Sequence, residues 1–88
     1  MIEKTFTITN ELGIHARPAA QLVKITSNIK SAVYISNNNI EVNAKSIMGV
    51  LTLNAGYGSR ITLKVDGEDE IEAMAALEEL IVHKHFNE

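Results

Sequence analysis

Apolar residues change their period along this chain, and that change limits the folds open to it. Phe6 and Ile8 alternate with threonines over Thr5 to Thr9, and Ile61, Leu63 and Val65 alternate with polar residues over Arg60 to Val65. Both segments predict strands with one buried face. Ala32 to Ser36 is too short for a helix and rich in strand formers. Three asparagines, Asn37 to Asn39, supply a turn, and Ile40 and Val42 alternate in a return strand. Two other stretches follow the helical period: residues 16–27, with Ala19, Ala20, Leu22 and Val23 on one stripe, and the last helix, with Ile71, Met74, Leu77, Leu80 and Ile81. Strand, helix, strand, strand, a short element at 46–53, strand and helix together predict an α+β open sandwich with an antiparallel sheet.

Size and composition leave that fold little help from elsewhere. Eighty-eight residues without cysteine exclude disulfides, thiolate catalysis and cysteine-ligated metal, so apolar burial must hold one domain over 1–88. The net charge is −3, and seven acids with no base lie between Asp66 and Glu79. Such a surface is poor for polyphosphate and argues against nucleic acid, including an RNA-binding α+β domain, which would need a basic or aromatic-lined sheet. No apolar run approaches the length of a membrane span and no signal peptide is visible, which fits a cytoplasmic protein. Within the acidic run, Asp69 three residues before Glu72 predicts a reciprocal helix cap. Glu70 and Glu72 sit at the positive helix end, and His83, Lys84 and His85 at the negative one.

Chemistry gathers in two segments. In Gly13-Ile14-His15-Ala16-Arg17-Pro18, Pro18 belongs in the first turn of a helix, which puts His15 at the capping position. Imidazole is a poor cap, so the first-turn N–H groups of Ala16 and Arg17 are expected to face an anion instead. The Arg17 guanidinium matches phosphate oxygens, and His15 is then a nucleophile beside a cradle for the group it would receive. Taken alone, the segment is more simply explained as a surface histidine ahead of a helix. No second base, metal cluster or glycine-rich phosphate loop supports a self-contained enzyme, whereas a carrier needs none of them.

The second segment begins with Ser46 as a natural N-cap, where phosphate would be tolerated. Val50, Leu51 and Leu53 reach a core. Ile47 and Met48 either form a small apolar docking patch or finish that core. Gly49 is unfavourable in so short a helix unless something approaches it closely. Phe6 and Tyr34 read as packing or face-covering groups and Tyr57 as a loop aromatic. His83 and His85, two apart near a fraying end, do not make a metal site.

Gly13-Ile14-His15-Ala16-Arg17-Pro18-Ala19 resembles the active-site signature of the HPr family, the histidine phosphocarriers of the phosphoenolpyruvate-dependent sugar phosphotransferase system. Lys45-Ser46-Ile47-Met48-Gly49-Val50 resembles the regulatory-serine segment of that family in low-GC Gram-positive bacteria. The likeness spans essentially the whole chain. It implies an open-faced β-sandwich, four antiparallel strands covered on one side by three helices. It implies that His15 is phosphorylated on Nδ1 by Enzyme I and passes the group to sugar-specific IIA domains, with Arg17 holding and releasing it. It implies that an ATP-dependent HPr kinase/phosphorylase modifies Ser46, making the protein a poorer substrate for Enzyme I and a corepressor for the catabolite control protein. Ala20, Lys24, Ile47, Met48 and Leu51 fall on the implied docking surface. No cofactor or metal is implied, and a shuttle between large partners is expected to be a monomer. A mainly regulatory use through Ser46 is the alternative to sugar transport. At residue 54, where Gram-positive relatives often carry glycine, this chain has Asn54, which tolerates left-handed geometry.

Overall fold

The computed structural model describes residues 1–87. Strands β1 (Ile2–Thr7), β2 (Ala32–Asn37), β3 (Ile40–Asn43) and β4 (Arg60–Asp66) form one sheet in the order β1-β4-β2-β3, every pair antiparallel. Helices α1 (Ala16–Thr26), α2 (Ile47–Thr52) and α3 (Glu70–Glu78) cover one side, giving the expected open-faced α+β sandwich. A π-helical turn, Glu79–His83, and a closing turn, His85–Asn87, follow α3.

The period-two segments do what alternation demands. Phe6, Val33, Ile35, Ile61, Leu63 and Val65 are buried, while Thr5, Tyr34 and Lys64 stay on the open face. There Thr5 and Thr62 pair through their hydroxyls and Lys64 meets Glu41 at 3.0 Å. Against the buried face pack Ala19 and Leu22 of α1, Val50 of α2, and Ala73, Met74 and Leu77 of α3. A fully buried leucine such as Leu22 or Leu77 is worth about 1.5–3 kcal/mol, so a short list of such residues can hold a chain without cross-links. The asparagine turn forms one residue tighter than expected: Asn37 belongs to β2 and pairs with Ile40, and Asn38 and Asn39 between them have φ of 52° and 67°.

Four expectations need correction. The first strand runs Ile2–Thr7 and not Thr5–Thr9, because Ile2 to Thr7 all find partners on β4. Ile8 and Thr9 have left the sheet, although Ile8 still reaches the core. In the last helix, Ile71 is 71% exposed. Ala73, Leu77 and Leu80 pull the buried stripe to one side, leaving Ile71 roughly 120° from its centre at 100° per residue.

Asp69 does not cap α3 with its side chain. Its carboxylate accepts from the backbone N–H groups of Lys30 and Ser31 and from the Ser31 hydroxyl, tying α3 to the loop before β2. These donors hold the Asp69 carboxyl down at about 2, the Ser31 hydroxyl contributing most. Glu70, not Glu72, reaches back, accepting from the Gly67 N–H at 3.2 Å. Finally, the segment at His85 and Phe86 is tucked against the core rather than left as an open helix end. Both residues have left-handed φ, and Phe86 is inserted in the core at 1% exposure.

Candidate functional site

The polypeptide between β1 and α1 is fastened on several sides. Ile8 exchanges backbone hydrogen bonds with the 58–59 segment, its N–H donating to Ser59 and its carbonyl accepting from Gly58, each at 2.8 Å. Gly13 adopts φ +66° and lies so close to the 55–56 backbone that a Cβ would sit 2.3 Å from the Ala55 carbonyl oxygen. Only glycine satisfies both conditions. Next, the Ile14 N–H donates to Ala55 O at 2.8 Å and its side chain is buried. The chain thus enters α1 from a fixed direction.

His15 occupies the N-cap of α1 with φ −92° and ψ −166°, and its side chain makes no capping hydrogen bond. Its carbonyl accepts from the Ala19 N–H at 3.0 Å, which starts the helix. Pro18 lies in the first turn and is buried, as its lack of an N–H and fixed φ favour. Ala16 and Arg17 are exposed, His15 is half-buried, and no acid occupies the first turn. A helix start combines partial positive charge with N–H groups that have no intrahelical acceptor, a setting that suits an anion. The arrangement can therefore hold a dianionic group on or beside the imidazole, with Arg17 available as a charged partner.

Helix α2 packs beside α1. Ser46 caps it, its Oγ accepting from the Gly49 N–H at 3.1 Å. The close approach expected at Gly49 is internal: a Cβ there would lie 3.3 Å from Asn43 O and 3.4 Å from Ser46 Oγ. Val50 and Leu53 are buried and Leu51 is partly so, while Ile47 is 41% and Met48 72% exposed. So short a helix cannot aim all five inward, and Met48 fully and Ile47 in part are left on the surface rather than finishing the core. Ala20 and Lys24 are exposed and continue the stripe begun by Ala16 and Arg17. Asn54 after α2 has φ +50°, the left-handed geometry its side chain tolerates.

Asn10, directly after the first alternating segment, ends its period-two pattern, and that pattern gives it no further role. It is buried, and its side-chain amide donates to Gly13 O while its carbonyl accepts from the Gly13 N–H at 3.0 Å. Asparagine three residues ahead of a glycine, a turn-forming pair, was the available signal. Tyr57 is 70% exposed in the segment beyond Ala55, and Leu12 is 73% exposed on the loop itself. Among the described residues no group of three or more histidines and carboxylates could hold a metal, and no helix is long and apolar enough to cross a membrane.

Comparisons with known proteins agree over nearly the whole length. The sequence model of the family described as PTS HPr component phosphorylation site matches residues 2–83. Phosphocarrier protein HPr of Cupriavidus necator is 50% identical over 84 residues, covering 96% of this chain and 94% of that protein. The HPr of Xylella fastidiosa is 50% identical over 88 residues, covering 100% of this chain and 98% of its own. In the crystal structure of HPr-C-His from Thermoanaerobacter tengcongensis the match has a TM-score of 0.93 at 42% identity, over 100% of this chain and 98% of that one. The sequence relatives are mostly HPrs of Gram-negative bacteria, and they do not support the Gram-positive likeness read from the Ser46 segment.

Proposed function

The chain belongs to the HPr family of phosphocarriers of the phosphotransferase system, and from that premise we propose that His15 is its phosphoryl acceptor. The group comes from phospho-Enzyme I and leaves to a sugar-specific IIA domain. One observation carries the reading: His15 stands at a helix N-cap that it does not cap, with an exposed arginine and no acid in the first turn. A phosphoryl group on Nδ1 would lie against the N–H groups of Ala16 and Arg17, and the Arg17 guanidinium would neutralise its charge. In the transfer, the P–N bond to the donor's histidine breaks as the P–N bond to His15 forms, and the bonding pair returns to the donor ring. Catalysis is then positioning plus electrostatic stabilisation between two docked proteins. This makes the chain, a single domain over 1–88, a stoichiometric carrier, acting in the cytoplasm as a monomer without metal or cofactor.

Docking is assigned to Ala20, Lys24, Ile47, Met48 and Leu51. An adaptable methionine at the centre of an apolar patch, with a basic rim, suits a carrier that must bind more than one partner briefly. Incubation with Enzyme I, Mg²⁺ and phosphoenolpyruvate should add one acid-labile phosphoryl group, seen by intact mass and phosphorus NMR. His15→Ala should add none while remaining folded. Transfer retained in that variant refutes the assignment.

Ser46 is proposed as a regulatory phosphorylation site, read by an HPr kinase/phosphorylase and a catabolite control protein where the host has them. Its support is position: a partly exposed N-cap immediately before Ile47 and Met48. A phosphate adds about −1.5 to −2 charges at pH 7, which a helix start accommodates but an apolar docking patch does not. Ser46→Asp should keep the fold, since aspartate is also a good cap, and should slow phosphorylation of His15. Unchanged transfer kinetics would sink the docking explanation.

A further inference from the structure

We propose that Asn10 is a positioning residue for phosphoryl transfer, an inference that rests on His15 being the acceptor. Two constraints meet on Gly13. On one side the residue is pressed against the Ala55–Gly56 backbone, too close for any side chain. On the other it is gripped twice by Asn10, through the side-chain amide to its carbonyl and through the backbone carbonyl to its N–H. The next residue, Ile14, is pinned to Ala55 O through its own N–H. The peptide groups leading into His15 therefore have fixed directions, and with them the Cα–Cβ bond that aims the imidazole.

The Asn10 side chain is the part of this arrangement that substitution can remove without touching the backbone contacts. It is 7% exposed and belongs to the loop before α1, whereas the exposed stripe of Ala16, Arg17, Ala20 and Lys24 lies on α1 and Ile47 and Met48 lie on α2. It can therefore influence how the imidazole is presented without contributing to docking. A group that only stabilised the fold would change the melting temperature and leave the saturating transfer rate of the folded fraction intact. A positioning group lowers that rate.

Asn10→Asp and Asn10→Ala test this. Ionised aspartate keeps the shape of asparagine but has no N–H to give to Gly13 O. Single-turnover transfer from phospho-Enzyme I would be followed over a range of Enzyme I concentrations. In both variants the saturating rate should fall on the order of 10-fold, as small misplacements of reacting groups do. The half-saturating concentration should stay within about twofold, since no docking contact is lost. An unchanged saturating rate overturns the proposal, and so does a loss confined to half-saturation. Should neither variant fold, the unsubstituted chain decides. The Asn10 side-chain NH₂ should then be protected from hydrogen exchange and the His15 ring fixed on the NMR timescale, whereas exchange at the rate of a solvated amide overturns the clamp. If the unsubstituted chain accepts no phosphoryl group at all, it is the acceptor reading that fails, and the exchange measurement still tests the clamp.

Discussion

Replacing Gly13 by alanine should damage the molecule more than replacing any glycine in open space, and three glycines make the comparison internal. At Gly13 a Cβ would lie 2.3 Å from Ala55 O and 2.6 Å from Gly56 Cα, with φ at +66°. At Gly58 φ is +85° but nothing lies within 4 Å, and at Gly56 there is neither a positive φ nor a near neighbour. A left-handed alanine costs about 1–2 kcal/mol, which Gly13→Ala and Gly58→Ala share. Forcing backbone apart adds about 1–3 kcal/mol, as overpacking of well-packed interiors does, and falls on Gly13→Ala alone. Gly56→Ala should be neutral or stabilise by about 0.4–1 kcal/mol through the unfolded chain.

Urea unfolding of the three variants reads this directly. With a slope of about 1 kcal/mol/M, at the low end for small proteins, Gly13→Ala should unfold roughly 1–3 M below Gly58→Ala. The neighbour that must yield is Ala55, which also anchors the Ile14 N–H. The variant should therefore be slower in phosphoryl transfer under conditions where it is still folded. Coincident midpoints for Gly13→Ala and Gly58→Ala would refute the steric reasoning, and with it the claim that the 55–56 backbone sets the entry into α1.

Further expectations concern the ends of the fold. Phe86→Ala should cost about 3–5 kcal/mol, as truncation of a buried aromatic does, and calorimetry showing less than about 1 kcal/mol would mean that the closing turn is not part of the core. Asp69 is held at about 2 against an ordinary 3.8, so its contribution to stability is complete above about pH 4 and is lost as pH falls through about 2. Urea midpoints between pH 5 and 2 should fall less steeply for Asp69→Asn than for the unsubstituted chain, and parallel slopes would show that the Ser31 and Lys30 donors are not holding the ionised form. Ser31→Ala should bring the Asp69 carboxyl part of the way back toward its ordinary range, seen by NMR titration, because the hydroxyl is the largest influence on it.

What could be read in advance divides by the range of the interaction. Alternation over Arg60 to Val65 and the asparagine turn are consequences of nearest neighbours; the strand formed where expected, and the turn formed at Asn38–Asn39, with Asn37 drawn into β2. The uncapped His15 follows equally from Pro18 and the chemistry of imidazole. Asp69 and Glu72 had the spacing of a local cap, but Asp69 found three donors some 38 residues away in sequence, and no i,i+3 rule contains them. Ile71 failed for a related reason: which side of an apolar stripe turns inward depends on how the helix lies over the sheet. Phe86 lies beyond the last apolar position of the final helical pattern, Ile81, so periodicity assigns it no face. Its burial requires two consecutive left-handed residues, a geometry that His85 and Phe86 do not advertise. Asn10 is harder to read because its partner, the Gly13 carbonyl, belongs to the backbone, so its spacing from Gly13 is the signal the sequence carries.

The acids of this chain raise a last question, since a protein of net charge −3 is an unpromising receiver of phosphoryl groups. The answer lies in where they stand. Glu70 meets the N-terminal ammonium at 3.1 Å, Glu78 meets Lys4 at 2.8 Å, Glu68 meets Lys30 at 3.6 Å, and Asp69 is occupied with Ser31 and Lys30. Exposed pairs of this kind contribute little individually. Their collective effect is to spend the acidic run on fastening α3 to β1, to the chain start and to the loop before β2. Helices α1 and α2 carry no acid at all, only Arg17 and Lys24. The two helices that carry the proposed docking residues, α1 starting directly after the proposed acceptor, thus present basic and apolar side chains on a protein that is acidic overall, with Glu11 on the preceding loop and Glu79 beside Lys24 as the nearby acids. Because local potential governs encounter with a charged partner far more than net charge does, this segregation lets an acidic chain serve as a phosphoryl acceptor. It also explains why charge added at Ser46 should matter more than the same charge added anywhere along α3.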